Sequence, residues 1–129
     1  MQGKPVKDYF ITHNDTEYAG CHLLIDLWQA KNLTDLALVE SSLRQCVVAC
    51  RATLLHIHLH HFSDSGGISG VAVLAESHIS VHTWPERDYA AFDIFMCGDT
   101  EPNNAIAILK EAFIPEKCQV KTLYRGEVS

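Results

Sequence analysis

The apolar positions change period along the chain, and each period predicts an element. Cys21 to Trp28 (CHLLIDLW) is short and nearly all apolar, as a buried strand is. Asp26 is its odd member, an acid that needs a partner, a ligand or backbone N–H groups at a strand end. Leu36, Val39, Leu43, Val47 and Cys50 then recur every three to four residues, one face of a helix that Asn32 or Thr34 would cap. Cys46 and Cys50 fall on or beside that face as small core residues, and Glu40 and Arg44 form an i,i+4 pair outside it. Thr53 to Phe62 alternates, with Leu55, Ile57 and Leu59 on one side and His56, His58 and His60 on the other. Ser63 to Gly70 is a glycine- and serine-rich loop, of a kind that lets backbone approach a ligand closely. Val71 to Ala75 reads as a strand running straight into Glu76 and Ser77. Tyr89 to Cys97 alternates again, Phe92, Ile94 and Met96 opposing Asp93, Phe95 and Cys97. Pro102 can start a second helix with Ile106, Leu109, Ala112 and Phe113 as its stripe, ended by Pro115. Gln119 to Tyr124 is a last strand, expected at a sheet edge, and residues 1–19 show no clear period.

The order is strand, helix, strand, strand, strand, helix, strand. Two helices and about five strands predict one α+β domain over residues 1–129, a two-layer sandwich with an antiparallel-rich sheet and both helices on one face. The uncovered face is too apolar and too rich in histidine for a monomer. A homodimer closing it would make a four-layer αββα arrangement.

Composition adds exclusions. The formal net charge of -6 disfavours nucleic acid and anionic membrane surfaces as partners. The N-terminus lacks the apolar core of a signal peptide, and no apolar run reaches membrane-spanning length. Five cysteines form an odd set without a C-x-x-C motif, so a cytoplasmic protein with reduced thiols is expected.

The candidate chemistry is concentrated in Glu76–Glu86 (ESHISVHTWPE) and Asp93–Gly98 (DIFMCG). Ser77 could be a nucleophile with a nearby histidine as base, though it lacks the G-x-S-x-G turn. Cys97 could be a nucleophile paired with His82, or all of these could be ordinary strand residues. A different class of function, a metal-binding module, would use His56, His58 and His60.

The run Gly67–Glu86 (GISGVAVLAESHISVHTWPE) resembles the self-cleavage segment of the small prokaryotic S-adenosylmethionine decarboxylases. Tyr89–Gly98 (YAAFDIFMCG) continues the resemblance, with weaker matches at Gly20–Asp26, His60–Phe62 and Arg125–Gly126, so that it spans roughly residues 18–126. It implies that a proenzyme cuts itself between Glu76 and Ser77 into a β chain, 1–76, and an α chain, 77–129, and that Ser77 becomes a pyruvoyl group. The substrate amine would form a Schiff base with that ketone and lose carbon dioxide, giving the aminopropyl donor for spermidine synthesis. The resemblance makes Cys97 the proton donor in catalysis and His82 the acceptor of the Ser77 α-proton in processing. It places Ser69, Trp84 and Glu86 at the substrate, with Phe62 facing the adenine or the sulfonium, and implies a homodimer with sheets face to face. It calls for no metal. Related proteins of this fold act on other amino acids, which keeps arginine or ornithine as alternative substrates. Two points stand apart from the pattern. The segment Ser63–Ile68 after Phe62 is one residue longer than in the family and lacks its proline. Ser77 and His82 are five apart, so a regular strand turns them to opposite faces unless a bulge intervenes.

Overall fold

The computed structural model describes residues 8–128. The elements are β1 (Ile11–His13), β2 (Thr16–Tyr18), β3 (Gly20–Trp28), α1 (Leu36–Ala49), β4 (Leu54–His61), β5 (Ile68–Leu74), β6 (Ser77–Trp84), a 3₁₀ turn (Pro85–Arg87), β7 (Tyr89–Met96), α2 (Asn104–Phe113) and β8 (Lys117–Arg125). Six strands form one antiparallel sheet in the order β4-β5-β6-β7-β3-β8, with β8 at an edge as expected. The central pairs are built from alternating residues. Leu23, Ile25 and Leu27 of β3, Ile79 and Val81 of β6, and Phe92 and Ile94 of β7 turn one way and are buried. Val39, Leu43 and Val47 of α1 and Leu109 and Phe113 of α2 join them in a single core, where the Phe92 and Phe113 rings lie 5.4 Å apart. The α+β two-layer reading therefore holds. No helix among the described residues is long and apolar enough to cross a membrane.

Several local expectations are corrected. The cap of α1 is neither Asn32 nor Thr34 but Asp35, whose carboxylate accepts the Leu38 N–H at 3.0 Å. Asn32 instead turns the chain at a φ of +64° and donates its side-chain amide to the Ala112 carbonyl at 2.9 Å. Leu55 does not share a side with Ile57 and Leu59. The β4–β5 register shifts between Leu54 and His56, which leaves Leu55 63% exposed. β5 begins at Ile68, so Ser69 and Gly70 are strand residues rather than loop. The close approach at Gly70 is to protein, since a Cβ there would lie 2.4 Å from the His58 carbonyl oxygen. Within residues 8–19, which show no period, β1 and β2 form a hairpin over Asn14 and Asp15. Both turn residues have positive φ, as a two-residue turn of this hand requires. The stretch after Val71–Leu74 is a strand of its own, so the main sheet has six strands rather than about five. Ala75 and Glu76 are the two-residue turn between β5 and β6, and Leu74 lies opposite Ser77.

The face away from the helices carries His22, Asp26 and Trp28 of β3, His78, Ser80 and His82 of β6, and Asp93 and Phe95 of β7. It is a part-polar surface that neither helix covers.

Phe113 is fully buried between the layers, so Phe113→Ala should cost about 3–5 kcal/mol in a denaturant titration. Val48→Ala, at a position 78% exposed on the neighbouring helix, should leave the midpoint nearly unchanged.

Candidate active site

Ser77 opens β6 in a conformation that L-residues rarely adopt. Its φ is +152°, a region almost confined to glycine and worth about 1–3 kcal/mol of strain for any other residue. The surroundings hold it there. The Glu76 carbonyl accepts both the Cys97 backbone N–H at 3.1 Å and the Cys97 thiol at 3.0 Å. The Glu76 carboxylate accepts the Thr53 N–H at 2.9 Å and the Thr53 hydroxyl at 3.2 Å, while the Ala75 N–H donates to the Thr53 carbonyl at 2.9 Å. The peptide unit before Ser77 is thus tied on two sides. Two donors on one carbonyl oxygen polarise its carbon and are placed to bear negative charge if that carbon is attacked.

Cys97 owes its position to register. Met96 pairs with Ser77, so the next residue of the β7 strand reaches the turn. Burial and, after it, the nearby Glu76 charge push the Cys97 thiol above its ordinary value, which keeps it protonated at neutral pH. A cavity of about 460 Å³ opens beside it, lined by Tyr9, Phe10, Leu74, Ser77, Phe95 and Cys97 among others. The Gly98 N–H donates to the Tyr9 carbonyl at 2.7 Å and so ties the N-terminal segment to this end of the sheet.

The other expected site residues lie elsewhere. β6 pairs with β5 from Ser77 to His82 without a register shift, so no bulge turns His82 toward Ser77. Ser77 falls on the parity of Ile79 and Val81, and His82 on the opposite face. Five residues of extended chain also separate them by about 16 Å. One chain therefore does not bring His82 to Ser77. His82 instead shares a hydrogen bond with the Ser69 hydroxyl through Nδ1 at 3.0 Å. Trp84, 42% exposed and hence not a core residue, stacks on Tyr89 at 5.2 Å, and Tyr89 stacks on Trp28 at 4.2 Å. Glu86 lies exposed in the 3₁₀ turn. Phe62 is exposed at the end of β4, its N–H donating to the Gly67 carbonyl at 2.8 Å. Glu76, Ser77 and Cys97 thus mark one end of the strands, and Phe62, Ser69, His82, Trp84 and Glu86 the other.

Between the ends lies a network that spacing along the chain does not reveal. The Asp93 carboxylate accepts from His22 at 2.6 Å, from His78 at 3.4 Å and from the Ser80 hydroxyl. Burial raises the Asp93 pKa, but the hydrogen bonds from Ser80, His22 and His78 outweigh it and hold the carboxyl below the usual carboxylate range. His78 and Ser80 are therefore not mere strand filler. His22, His78 and Asp93 also have potential metal-ligand atoms within 4.8 Å of one another, but those atoms already satisfy each other. His56, His58 and His60 make no such convergent group among the described residues and lie exposed on β4, an edge strand. Asp26 finds its partner in the Tyr89 hydroxyl at 2.5 Å. Thr53 was the residue most clearly missed, since it reads only as the start of a strand. The partners of Asp93 were missed because they come from β3 and β6, far from it in sequence.

Known proteins resemble this chain in sequence and in fold. A family model described as S-adenosylmethionine decarboxylase matches residues 21–126. An S-adenosylmethionine decarboxylase proenzyme from Thermomicrobium roseum is 42% identical over 110 residues, covering 84% of this chain and 95% of the relative. One from Methanococcus vannielii is 45% identical over 112 residues, covering 84% and 91%. The crystal structure of the adenosylmethionine decarboxylase from Aquifex aeolicus superposes with a TM-score of 0.76 at 29% identity, over 87% of this chain and 94% of that one. Matched by that family model over residues 21–126 and by relatives more than 40% identical over most of its length, the chain belongs to the S-adenosylmethionine decarboxylase family.

Proposed function

We propose that this protein decarboxylates S-adenosylmethionine for polyamine synthesis, after cutting its own chain between Glu76 and Ser77 and converting Ser77 to a pyruvoyl group. The observation that carries this reading is the peptide unit at the cut. The residue that must attack is backbone-strained, and the carbonyl it must attack already receives two hydrogen bonds from Cys97. Attack by the Ser77 hydroxyl on the Glu76 carbonyl carbon exchanges the peptide bond for an ester and frees the Ser77 nitrogen. The Cys97 N–H and thiol bear the charge on the oxygen as it forms. Loss of the Ser77 α-proton breaks the Ser77 Cβ–O bond, expelling the main chain of Glu76 as a new C-terminal carboxylate and leaving a dehydroalanine. Water then replaces its nitrogen, which departs as ammonia. The products are a β chain, 1–76, and an α chain, 77–129.

The pyruvoyl group fits the residues present, because Ser77, its precursor, lines one apolar-walled cavity together with Glu76, whose carbonyl is polarised, and Cys97, whose thiol is protonated. Such a group supplies a conjugated ketone that takes up the electrons released with carbon dioxide. Cys97, held protonated, returns a proton to the substrate carbon, and the ring of Phe95 helps keep water from that cavity.

His82 takes the Ser77 α-proton from a second copy of the chain. Supporting this are the roughly 16 Å between the two residues within one chain and the uncovered sheet face that bears His82. A two-fold axis in the contact plane, running across the strands, reverses their ends. It sets the His82 end of one copy over the Ser77 end of the other, in an αββα homodimer. Ser69, hydrogen-bonded to His82, orients its ring. Trp84, Glu86 and Phe62 arrive with it and contact the substrate, Glu86 at the ribose hydroxyls and the aromatic rings at the adenine or sulfonium. The same fold and cofactor acting on arginine or ornithine gains no support from the relatives, and a His56, His58 and His60 metal module gains none from their positions.

A denaturing mass spectrum of the purified protein should show 1–76 and 77–129, the latter lighter by one ammonia. Ser77→Ala should remain one chain without decarboxylase activity, and a cleaved alanine variant would refute the nucleophile. Cys97→Ala should lose most turnover. In the wild type, activity limited by this acid should fall only as pH rises past the raised thiol value, because the proton is lost there. A His82→Ala chain should stay uncut alone, yet be cut when co-expressed with Ser77→Ala chains that lend it an intact His82. An uncut His82→Ala chain in such mixtures would refute the exchange.

A further inference from the structure

We infer that Thr53 is a positioning residue for self-cleavage, clamping the Glu76 carboxylate so that the scissile carbonyl stays under Cys97. The inference deepens, and rests on, the reading of Glu76–Ser77 as the bond that is cut. Three hydrogen bonds join Thr53 to the two residues before that bond. Its N–H and its hydroxyl donate to the two carboxylate oxygens of Glu76, and its carbonyl accepts the Ala75 N–H. Neither Ala75 nor Glu76 has a positive φ, and neither is a glycine, asparagine or proline, so turn chemistry alone does not fix this loop. Without a tether, the peptide plane between Glu76 and Ser77 could rotate, carry its carbonyl away from Cys97 and release the strain on Ser77. The Cys97 bonds hold that plane from the β7 side, and Thr53 holds it from the opposite side, across β5. A shift of about an ångström at an attacked carbon is enough to slow a proximity-driven step greatly.

Thr53 lies just before β4, which is an edge strand, so its side chain can be changed without opening the core. The test follows cleavage in time by intact mass in freshly made precursor. Thr53→Val keeps the branched shape but loses the hydroxyl donor, and should cut about tenfold more slowly, the worth of one hydrogen bond to a charged group. Thr53→Ser keeps the donor and should cut near the wild-type rate. Glu76→Ala removes the acceptor and should be slow as well, and adding Thr53→Val to it should slow it no further. Thermal midpoints of uncleavable Ser77→Ala precursors, with and without Thr53→Val, should agree within a few degrees, which separates positioning from loss of fold. A wild type that never cuts would overturn the cleavage reading itself. A wild type that cuts no faster than Thr53→Val would overturn the clamp alone. Equal slowing by Thr53→Val with and without Glu76 would show that Thr53 does not act through that carboxylate.

Discussion

The two hydrogen bonds that meet on one carbonyl oxygen, that of Glu76, constrain how the strands beside it can pair, because both donors come from Cys97. That contact joins the turn between β5 and β6 to the end of β7, and it exists in only one register. Sliding β7 by one residue would bring Met96 or Gly98 to the carbonyl and turn the apolar residues of β7 out of the core. The register is in turn fixed by pairs far from the turn, Ile79 with Ile94 and Val81 with Phe92, packed under α1 and α2. The hydrophobic layer therefore sets the chemistry. Its cohesion holds a serine in a conformation it would otherwise leave.

Much of the fold was legible because periodicity reports burial. The spacing of Val39, Leu43 and Val47 marked α1, and the alternation around Phe92 and Ile94 marked β7, since those side chains have nowhere else to go. The boundaries that escaped are those where no residue type announces them. Ala75 and Glu76 turn the chain without glycine, asparagine or proline, so β5 and β6 read as one continuous stretch. The bulge at Leu55 is invisible in a perfect alternation, because a register shift depends on the partner strand. Asn14 and Asp15 did carry a turn signal, but the three-residue strands beside them are too short to show a period.

The site was legible to a different depth. Family resemblance named Ser77, His82 and Cys97 together, although a linear motif says nothing of faces. The register settles that Cys97 meets the Glu76 carbonyl and that His82 stands at the far end of the same strand as Ser77. Thr53, His22 and His78 make contacts across strands distant in sequence, and no spacing rule could have paired them with Glu76 or Asp93. The Asp93 network also explains how a charged residue is kept in the middle of a sheet face, with imidazoles and a hydroxyl occupying its oxygens.

The strand order carries a consequence for molecularity. A cut between Glu76 and Ser77 would leave β3, β4 and β5 on one fragment and β6, β7 and β8 on the other. The ladders β5–β6, β7–β3 and β3–β8 would then all run between fragments, and the α1–α2 contact with them. Interleaved in this way, the fragments would stay associated with no covalent link. Unfolding, however, would change its order. The intact precursor returns to its fold as one body, whereas the cut protein must find its other half, so its recovery after denaturation would depend on concentration. Such a chain would have one opportunity to fold cheaply in entropy, before the bond opened.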